Sequence, residues 1–336
     1  MFYILFALLT GFLSTFFLTR MAMDFLSGSG IVGKDQQKKD TPVIPTSGGV
    51  PVLFGYLTAI SVFVGMRTFL STPVDVTSIF ASLLSVLVIG LIGLVDDIHV
   101  KENAEMVKKE EQISVGFRSW WIKPLLVLPA ALPLMVVKAG HSMMVLPFLG
   151  GVDFGIFYPL VLVPVGVVCV SNATNMLAGQ NGLEAGMGMI ALASIGFFAL
   201  ANGSVNGAVI ALTMASCLLA FLLYNFYPSQ ILPGDSLTYS IGAVIAASTI
   251  ISNVEKFSLV IFTPWILEAF LKLRSRFQAS SLGELQEDGT LNPKHDSVYS
   301  LGHLLMRMDG MTERRLVLSM WGVETIICIT AFIIFL

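Results

Sequence analysis

Amide and carboxyl side chains gather directly after an apolar segment in the middle of the chain. Residues 172–186 read NATNMLAGQNGLEAG, and the preceding residues 156–173 are apolar enough to enter a membrane. Polar groups at a membrane boundary must find partners, so such a cluster indicates an ion or substrate site. Asn172 and Asn175 are three residues apart and share one face of a continuing helix. The segment therefore predicts two amide side chains that point into one cavity.

Acidic residues occur at two further membrane boundaries. GLIGLVDDIHV places Asp96 and Asp97 at the end of the third apolar segment, and YPSQILPGDSLTYSIG places Asp235 just before the eighth. A carboxylate at this depth is costly unless it is paired or binds a cation, and adjacent carboxylates repel each other. Carboxylate and amide oxygens favour Mg²⁺, with Mn²⁺ as an alternative, and no His or Cys cluster that would suit zinc lies nearby in the sequence. For the aspartate pair or for Asp235 considered separately, a solvated helix end without a metal stays an alternative.

Basic residues could complete a phosphate site. Lys38 or Lys39 lies in the first polar loop, Lys123 begins the fourth apolar segment, and Arg274 and Arg276 follow the ninth. Lysine and arginine stabilise the charge that develops on phosphate oxygens during transfer. Anchoring at the membrane surface is the alternative for each of them alone.

The composition predicts an all-α membrane protein whose helices position these residues. Hydrophobic residues make up 55% of the 336, charged residues 12%, and the mean hydropathy is +0.83. A helix needs about 20 apolar residues to cross a bilayer. About ten segments approach that length: 2–20, 49–69, 77–95, 120–138, 156–173, 187–202, 206–226, 237–252, 257–273 and 317–336.

Charge predicts the orientation of these spans. If both termini face outward, 16 of the 19 Lys and Arg residues lie on the inner side, as the preference of basic residues for cytoplasmic loops requires. We expect one membrane domain over 1–336, with cytoplasmic loops at about 21–48, 96–119, 174–186, 227–236 and 274–316. Residues 141–155, with Gly150-Gly151 between apolar residues, predict a small external β-hairpin.

The motifs together resemble a known family. GKDQQKKDTPVIPTSGGVP, GLVDDI, NATNMLAGQNGLEAG and PSQILPGDS are similar, in this order, to four motifs of the polyprenyl-phosphate N-acetylhexosamine-1-phosphate transferases, a family of the glycosyltransferase 4 type. Bacterial members that load muramyl-pentapeptide carry Asp residues where this chain has Ala178 and Asn181, and a His-rich tract where it has LRSRF. LAGQNGLEAG is closer to the archaeal and eukaryotic branch, which transfers GlcNAc-1-phosphate to dolichyl phosphate.

The resemblance implies a role for each matching residue. It implies that Asn175 and Asp235 hold Mg²⁺, that Asn181 reads the uracil together with backbone near Gln36, and that the lipid phosphate enters at the paired aspartates. Two departures, Thr46 where the family often has Glu and Ser275 where the eukaryotic branch has His, leave the contacts of those positions open. The complete set is Asp96, Asp97 and Lys123 for catalysis; Gln36, Lys38, Asn172, Asn181, Glu184, Arg274 and Arg276 for substrate binding; and Asn175 and Asp235 for metal.

The expected reaction is transfer of GlcNAc-1-phosphate from UDP-GlcNAc to dolichyl phosphate with release of UMP, the first step of lipid-linked oligosaccharide synthesis for N-glycosylation. Direct attack by the lipid phosphate and a phospho-enzyme intermediate on one aspartate both stay open. The alternatives are another UDP-N-acetylhexosamine or undecaprenyl phosphate and, in a different class, a nucleotide-sugar transporter. We expect no nucleic-acid partner; a homodimer stays open. The site should face the cytoplasm from the cell membrane, or from the endoplasmic reticulum membrane in a eukaryote.

Overall fold

Thirteen α-helices and three small strand pairs make up the described part of the chain. The structure is a computed structural model that describes residues 1–70, 72–106, 122–146 and 150–336, without the side chains of 99–106, 122–124 and 145–146. The helices are α1 Phe2–Gly28, α2 Gly49–Phe69, α3 Val76–Met106, α4 Ile122–Val127, α5 Leu132–Val136, α6 Val163–Met176, α7 Leu183–Ala201, α8 Val205–Asn225, α9 Gly234–Ser252, α10 Glu255–Ile261, α11 Thr263–Arg274, α12 Leu301–Met306 and α13 Glu313–Phe335.

Eight helices in the described ranges are long and apolar enough to cross a membrane, which confirms the all-α, multi-pass membrane fold. Six of them are α1, α2, α7, α8, α9 and α13. The other two are Val76–Ile98, which is the first part of α3, and Tyr158–Met176, which ends with α6. The predicted fourth and ninth spans are broken helices. A 3₁₀ turn, Leu128–Ala131, separates α4 from α5, and Phe262 separates α10 from α11, which has Pro264 in its first turn. Proline removes a backbone donor and interrupts a helix, so the count of ten stays a prediction.

Helix α9 lies at the centre of the bundle and packs against α2, α3, α6 and α8. Its approach to α3 is close because Gly93 has no side chain. A Cβ atom on Gly93 would lie 2.6 Å from the carbonyl carbon of Asp235. The glycine therefore brings the aspartate pair of α3 to the first turn of α9.

The bundle has two ends. At the motif end, α2, α7, α9 and α13 begin, and α1, α6 and α8 end; Asp97, Asn175, Asn181 and Asp235 all lie there. At the far end, α2, α7 and α9 end, and α3 and α8 begin. The helices thus alternate in direction, as the predicted topology requires.

The strands form three antiparallel pairs in the connections. Strands β3 Met143–Leu146 and β4 Gly150–Asp153 pair as a hairpin at the predicted position. Strands β1 Val32–Lys34 and β2 Val43–Pro45 pair in the first polar loop, and β5 Gly283–Leu285 and β6 Leu291–Pro293 pair in the last long one. Neither of these two pairs was predicted. The β1–β2 pair holds both ends of the segment that carries Asp35 and Lys38.

Candidate functional site

Asp97 joins α3 to the start of α9. Its Oδ1 accepts a hydrogen bond from the Asp235 backbone nitrogen at 2.7 Å, and its Oδ2 accepts from the Ser236 nitrogen at 3.3 Å and from Ser47 Oγ at 3.0 Å. The first N–H groups of a helix have no intrahelical partner, and the helix dipole stabilises a carboxylate at this end. Gly234, with φ +70°, leaves room for this carboxylate, since a Cβ would lie 2.4 Å from Asp97 Oδ2. Asp97 therefore fixes the backbone that carries Asp235.

Asn175 and Asp235 lie at the same end of two packed helices. Thr174 Oγ1 donates to the Thr238 carbonyl oxygen at 2.9 Å, which sets α6 and α9 side by side. Asn175 follows Thr174 directly, and Asp235 lies about one turn before Thr238. Both side chains are half-buried. The structure thus places the two predicted metal ligands at the same end of adjacent helices, and their role as ligands stays a prediction.

Four residues at the same end of the bundle close a ring of polar contacts. Lys38 Nζ contacts Asp35 Oδ1 at 3.1 Å and also Glu313 Oε2. Glu313 Oε1 accepts from the Asn181 backbone nitrogen at 2.8 Å, and Asn181 Nδ2 donates to Asp35 Oδ2 at 2.8 Å. The polar ring of Asp35, Lys38, Asn181 and Glu313 joins the first loop, the asparagine-rich loop and the start of α13. The ammonium group of Lys38 also lies 4.7 Å from the centre of the Tyr227 ring.

The polar ring fixes the orientation of the Asn181 amide. An ionised carboxylate only accepts hydrogen bonds, so the NH₂ group must face Asp35 and the amide oxygen must face away from it. Gln36, the predicted neighbour in the first loop, is exposed, whereas Gln37 is buried. Neither amide atom of Gln37 has a hydrogen-bond partner in the described part of the chain. Buried amides are normally paired, so Gln37 is a candidate ligand contact that the sequence did not single out.

Asn172 and Glu184 make hydrogen bonds to the backbone of residues close to them in the sequence. Asn172 is buried, and its Nδ2 donates to the Val168 carbonyl oxygen at 2.8 Å. Glu184, in the first turn of α7, accepts from the Gly179 nitrogen at 2.7 Å and so closes the loop between α6 and α7. Its second oxygen is buried with no partner among the described residues. Their predicted contacts with substrate stay predictions.

The predicted phosphate-binding cations have different surroundings. The side chain of Lys123 lies outside the described residues. Arg274 is exposed and donates to the Val298 carbonyl oxygen at 3.2 Å, and Arg276 is exposed with φ +53°. Lys38 is shared by two carboxylates of the polar ring, a pairing that was not predicted. A role in phosphate binding stays a prediction for all four.

Two buried charged side chains of α11 make hydrogen bonds to the backbone of the long loop that follows this helix. Glu268 Oε2 accepts from the Leu301 nitrogen at 2.7 Å at the start of α12, and Lys272 Nζ donates to the Ala279 carbonyl oxygen at 2.8 Å. His303 of α12 is buried, and this burial, together with the nearby Lys272 charge, lowers its pKa. Gln180 Nε2 donates to the Ser281 carbonyl oxygen at 3.4 Å, so the loop reaches the asparagine-rich segment.

An apolar cleft of about 260 Å³ opens between α6, α9 and α10. Leu162, Val170, Ile245, Leu259 and Phe262 are among its lining residues. Part of the lining comes from α10 and from Phe262, at the break beside Pro264, and none of it comes from α2. Its apolar walls suit a hydrocarbon chain.

The chain belongs to glycosyl transferase family 4. The family model matches residues 79–253, slightly over half of the chain, a range that includes Asp97, the asparagine-rich segment and Asp235. The fold and the motif end therefore define a multi-pass membrane glycosyl transferase of this family.

Similar proteins from archaea, a eukaryote and bacteria match most of the chain. A protein of Saccharolobus solfataricus, named provisionally as a UDP-N-acetylglucosamine–dolichyl-phosphate N-acetylglucosaminephosphotransferase, is 33% identical over 98% of this chain and 96% of its own length. The Dictyostelium discoideum protein of that name is 28% identical over 90% of this chain and 81% of its own. A phospho-N-acetylmuramoyl-pentapeptide-transferase of Halalkalibacterium halodurans is 25% identical over 89% and 85%.

Proposed function

We propose that this protein transfers N-acetylglucosamine 1-phosphate from UDP-GlcNAc to a dolichyl-type polyprenyl phosphate and releases UMP. The observation that carries this proposal is the meeting of four motifs at one end of the bundle, with Asp97 fixing the turn that carries Asp235. The similarity to proteins named for this reaction, over nearly the whole chain, supports the choice of sugar and lipid. The more distant similarity to a muramoyl-pentapeptide transferase leaves other UDP-N-acetylhexosamines and undecaprenyl phosphate as alternatives.

The polar ring suits the uridine end of the donor. Because Asp35 holds the NH₂ group of Asn181, the amide oxygen can accept the N3–H of a uracil ring. Gln37, whose buried amide has no partner among the described residues, can supply a further donor and acceptor. Glu313 takes part by holding the Asn181 backbone, so we assign it a positioning role.

Replacing Glu313 tests this part of the proposal. Glu313→Gln removes the negative charge that holds Lys38. It also places an NH₂ group against one of the two donors that the carboxylate accepts from, Lys38 Nζ or the Asn181 backbone nitrogen. A charge-assisted hydrogen bond contributes about 1.5–3 kcal/mol, so we expect KM for UDP-GlcNAc to rise on the order of tenfold with kcat changed less. The matched control is Glu287→Gln in the exposed part of the last long loop. An unchanged KM in Glu313→Gln, or an equal rise in the control, would contradict the positioning role.

Magnesium fits the residues at the motif end. No group of three or more His, Cys, Asp or Glu residues that could hold a metal occurs among the described residues. Mg²⁺ needs no such cage, because it is commonly bound by one or two protein oxygens together with substrate phosphates and water. Asn175 and Asp235 would be its protein ligands. When bound, the ion would neutralise charge on the pyrophosphate of the donor.

The acceptor needs little help from a base. A phosphate monoester has its second pKa at about 6 and is largely ionised near neutral pH. One of its oxygens forms the new bond to the β-phosphorus of UDP-GlcNAc, and the bond from that phosphorus to the oxygen of UMP breaks. Both oxygens of Asp97 accept hydrogen bonds from neighbouring groups, which favours a positioning role for Asp97 over that of a nucleophile.

The orientation of the site follows from charge. Lys34, Lys38 and Lys39, in the first polar loop, and Arg314, in the first turn of α13, lie at the motif end, and basic residues favour the cytoplasmic side of a membrane. We therefore place the active site at the cytoplasmic face of the cell membrane, or of the endoplasmic reticulum if the source is eukaryotic. UMP release from UDP-GlcNAc, dolichyl phosphate and Mg²⁺ by the purified protein tests the proposal, and EDTA should stop it.

A further inference from the structure

A groove of about 660 Å³ opens at the far end of the bundle, opposite the motif end. It lies where α2 and α9 end and where α3 and α8 begin. Its polar lining includes Arg67, Asp75, Lys138, His141, Ser204 and Asn206. The volume is within the usual range for a small-molecule site. Neither the motifs nor the proposed reaction uses this groove.

The groove concentrates the positive charge of its end of the molecule. Only three Lys or Arg residues were predicted on the outer side, and two of them, Arg67 and Lys138, line the groove. The guanidinium of Arg67 donates to the Pro73 carbonyl oxygen, but its Nε is buried without a hydrogen-bond partner in the described chain. The Asp75 carboxylate is engaged by Ser78 in the first turn of α3.

Two backbone features border the groove. Lys138 has φ +50° because it caps the end of α5: its nitrogen donates to the Met135 carbonyl oxygen at 3.0 Å, and the Ala139 nitrogen donates to that of Leu134 at 3.0 Å. Helix α8 begins at the groove, and the side chain of its N-cap residue, Ser204, makes no capping hydrogen bond. The N-terminus of a 21-residue helix offers backbone donors and a positive dipole to an anion.

We propose that the far-end groove binds a phosphate-bearing anion, held by Lys138, Arg67 and the first turn of α8. Two sources share this chemistry, the headgroup of an anionic phospholipid and free phosphate. Large apolar side chains stand at this end of the bundle: Phe69 is 88% exposed and Val136 is 80% exposed. These side chains favour a lipid source, whose acyl chains would lie along them.

Titration of the purified full-length protein in detergent tests the proposal. The ligands are phosphatidylglycerol, diacylglycerol as the matched lipid without phosphate, and inorganic phosphate, with Tm and apparent Kd as readouts. Phosphatidylglycerol should raise Tm, and diacylglycerol should not. Lys138→Asn removes the charge while keeping a residue that tolerates positive φ. It should weaken phosphatidylglycerol binding on the order of tenfold, the loss expected for a charge-assisted hydrogen bond.

Two controls separate this site from general charge and from the motif end. Lys256→Gln removes an exposed cation that does not line the groove, and Asp235→Asn changes the motif end; both should bind phosphatidylglycerol as the wild type does. A response to inorganic phosphate that Lys138→Asn weakens assigns the groove to free phosphate, and a response to the lipid alone assigns it to a headgroup. Equal Tm shifts with diacylglycerol, unchanged affinity in Lys138→Asn, or equal losses in either control would overturn the proposal.

Discussion

Asp235→Asn should lower the rate of UMP release by roughly 100-fold or more, because an amide carries no charge to hold Mg²⁺ against the donor pyrophosphate. Asparagine keeps the size of the side chain, so the backbone bond from residue 235 to Asp97 should persist. The measurement is kcat at saturating UDP-GlcNAc and dolichyl phosphate over a range of Mg²⁺ concentrations. The variant should need more Mg²⁺ than the wild type for half of its maximal rate.

Asn175→Ala provides the companion variant, since Asn175 lies at the same end of the α6–α9 pair. It should also lose most activity while its Tm stays close to that of the wild type. Asn202→Ala, an exposed asparagine at the far end with φ −90°, is the control for general effects of losing an amide. Activity near wild type in either Asp235→Asn or Asn175→Ala would contradict the metal assignment.

Asp97→Asn should lower both stability and turnover, because its carboxylate accepts three hydrogen bonds at the start of α9. An amide can accept on one side only and places its NH₂ group against a donor on the other. Leaving a buried donor unpaired costs about 1–3 kcal/mol. We expect a lower Tm and a fall in kcat of roughly 100-fold, since a small displacement of Asp235 misplaces the reacting groups.

The matched control is Asp40→Asn, an exposed carboxylate in the first polar loop. It should leave Tm and kcat unchanged. If Asp97→Asn kept wild-type Tm while losing activity, its role would be direct contact with substrate. If it kept wild-type activity, its fixing of the α9 turn would not matter for the reaction.

Composition and hydropathy were enough to predict the class of fold and the positions of the long helices. Hydropathy predicted two continuous helices where the structure has broken ones. The average over a window of apolar residues is the same whether or not a 3₁₀ turn or Pro264 interrupts the helix. The hairpin at 143–153 was predicted from its glycine pair. The strand pairs in the two polar loops were missed, because three-residue strands are too short to show an alternating pattern.

The motifs predicted which segments meet, but not which atoms join them. Glu313 is 275 residues from Lys38, so no spacing in the sequence could indicate their contact. Gln36 and Gln37 are adjacent and identical in type, so only the fold could show that the second is the buried one. The contact between Asp97 and α9 depends in the same way on Gly93 and Gly234, which allow the close approach.

The most direct test of the proposed reaction follows the two halves of the donor separately. Purified protein receives Mg²⁺, dolichyl phosphate and UDP-GlcNAc that carries one label on the β-phosphorus and another on the uridine. We predict that the phosphorus label and the sugar move together into the lipid product, and that the uridine label appears in UMP in equal amount. No UMP, or passage of intact UDP-GlcNAc into vesicles without cleavage, would contradict the assignment as a phosphoglycosyl transferase.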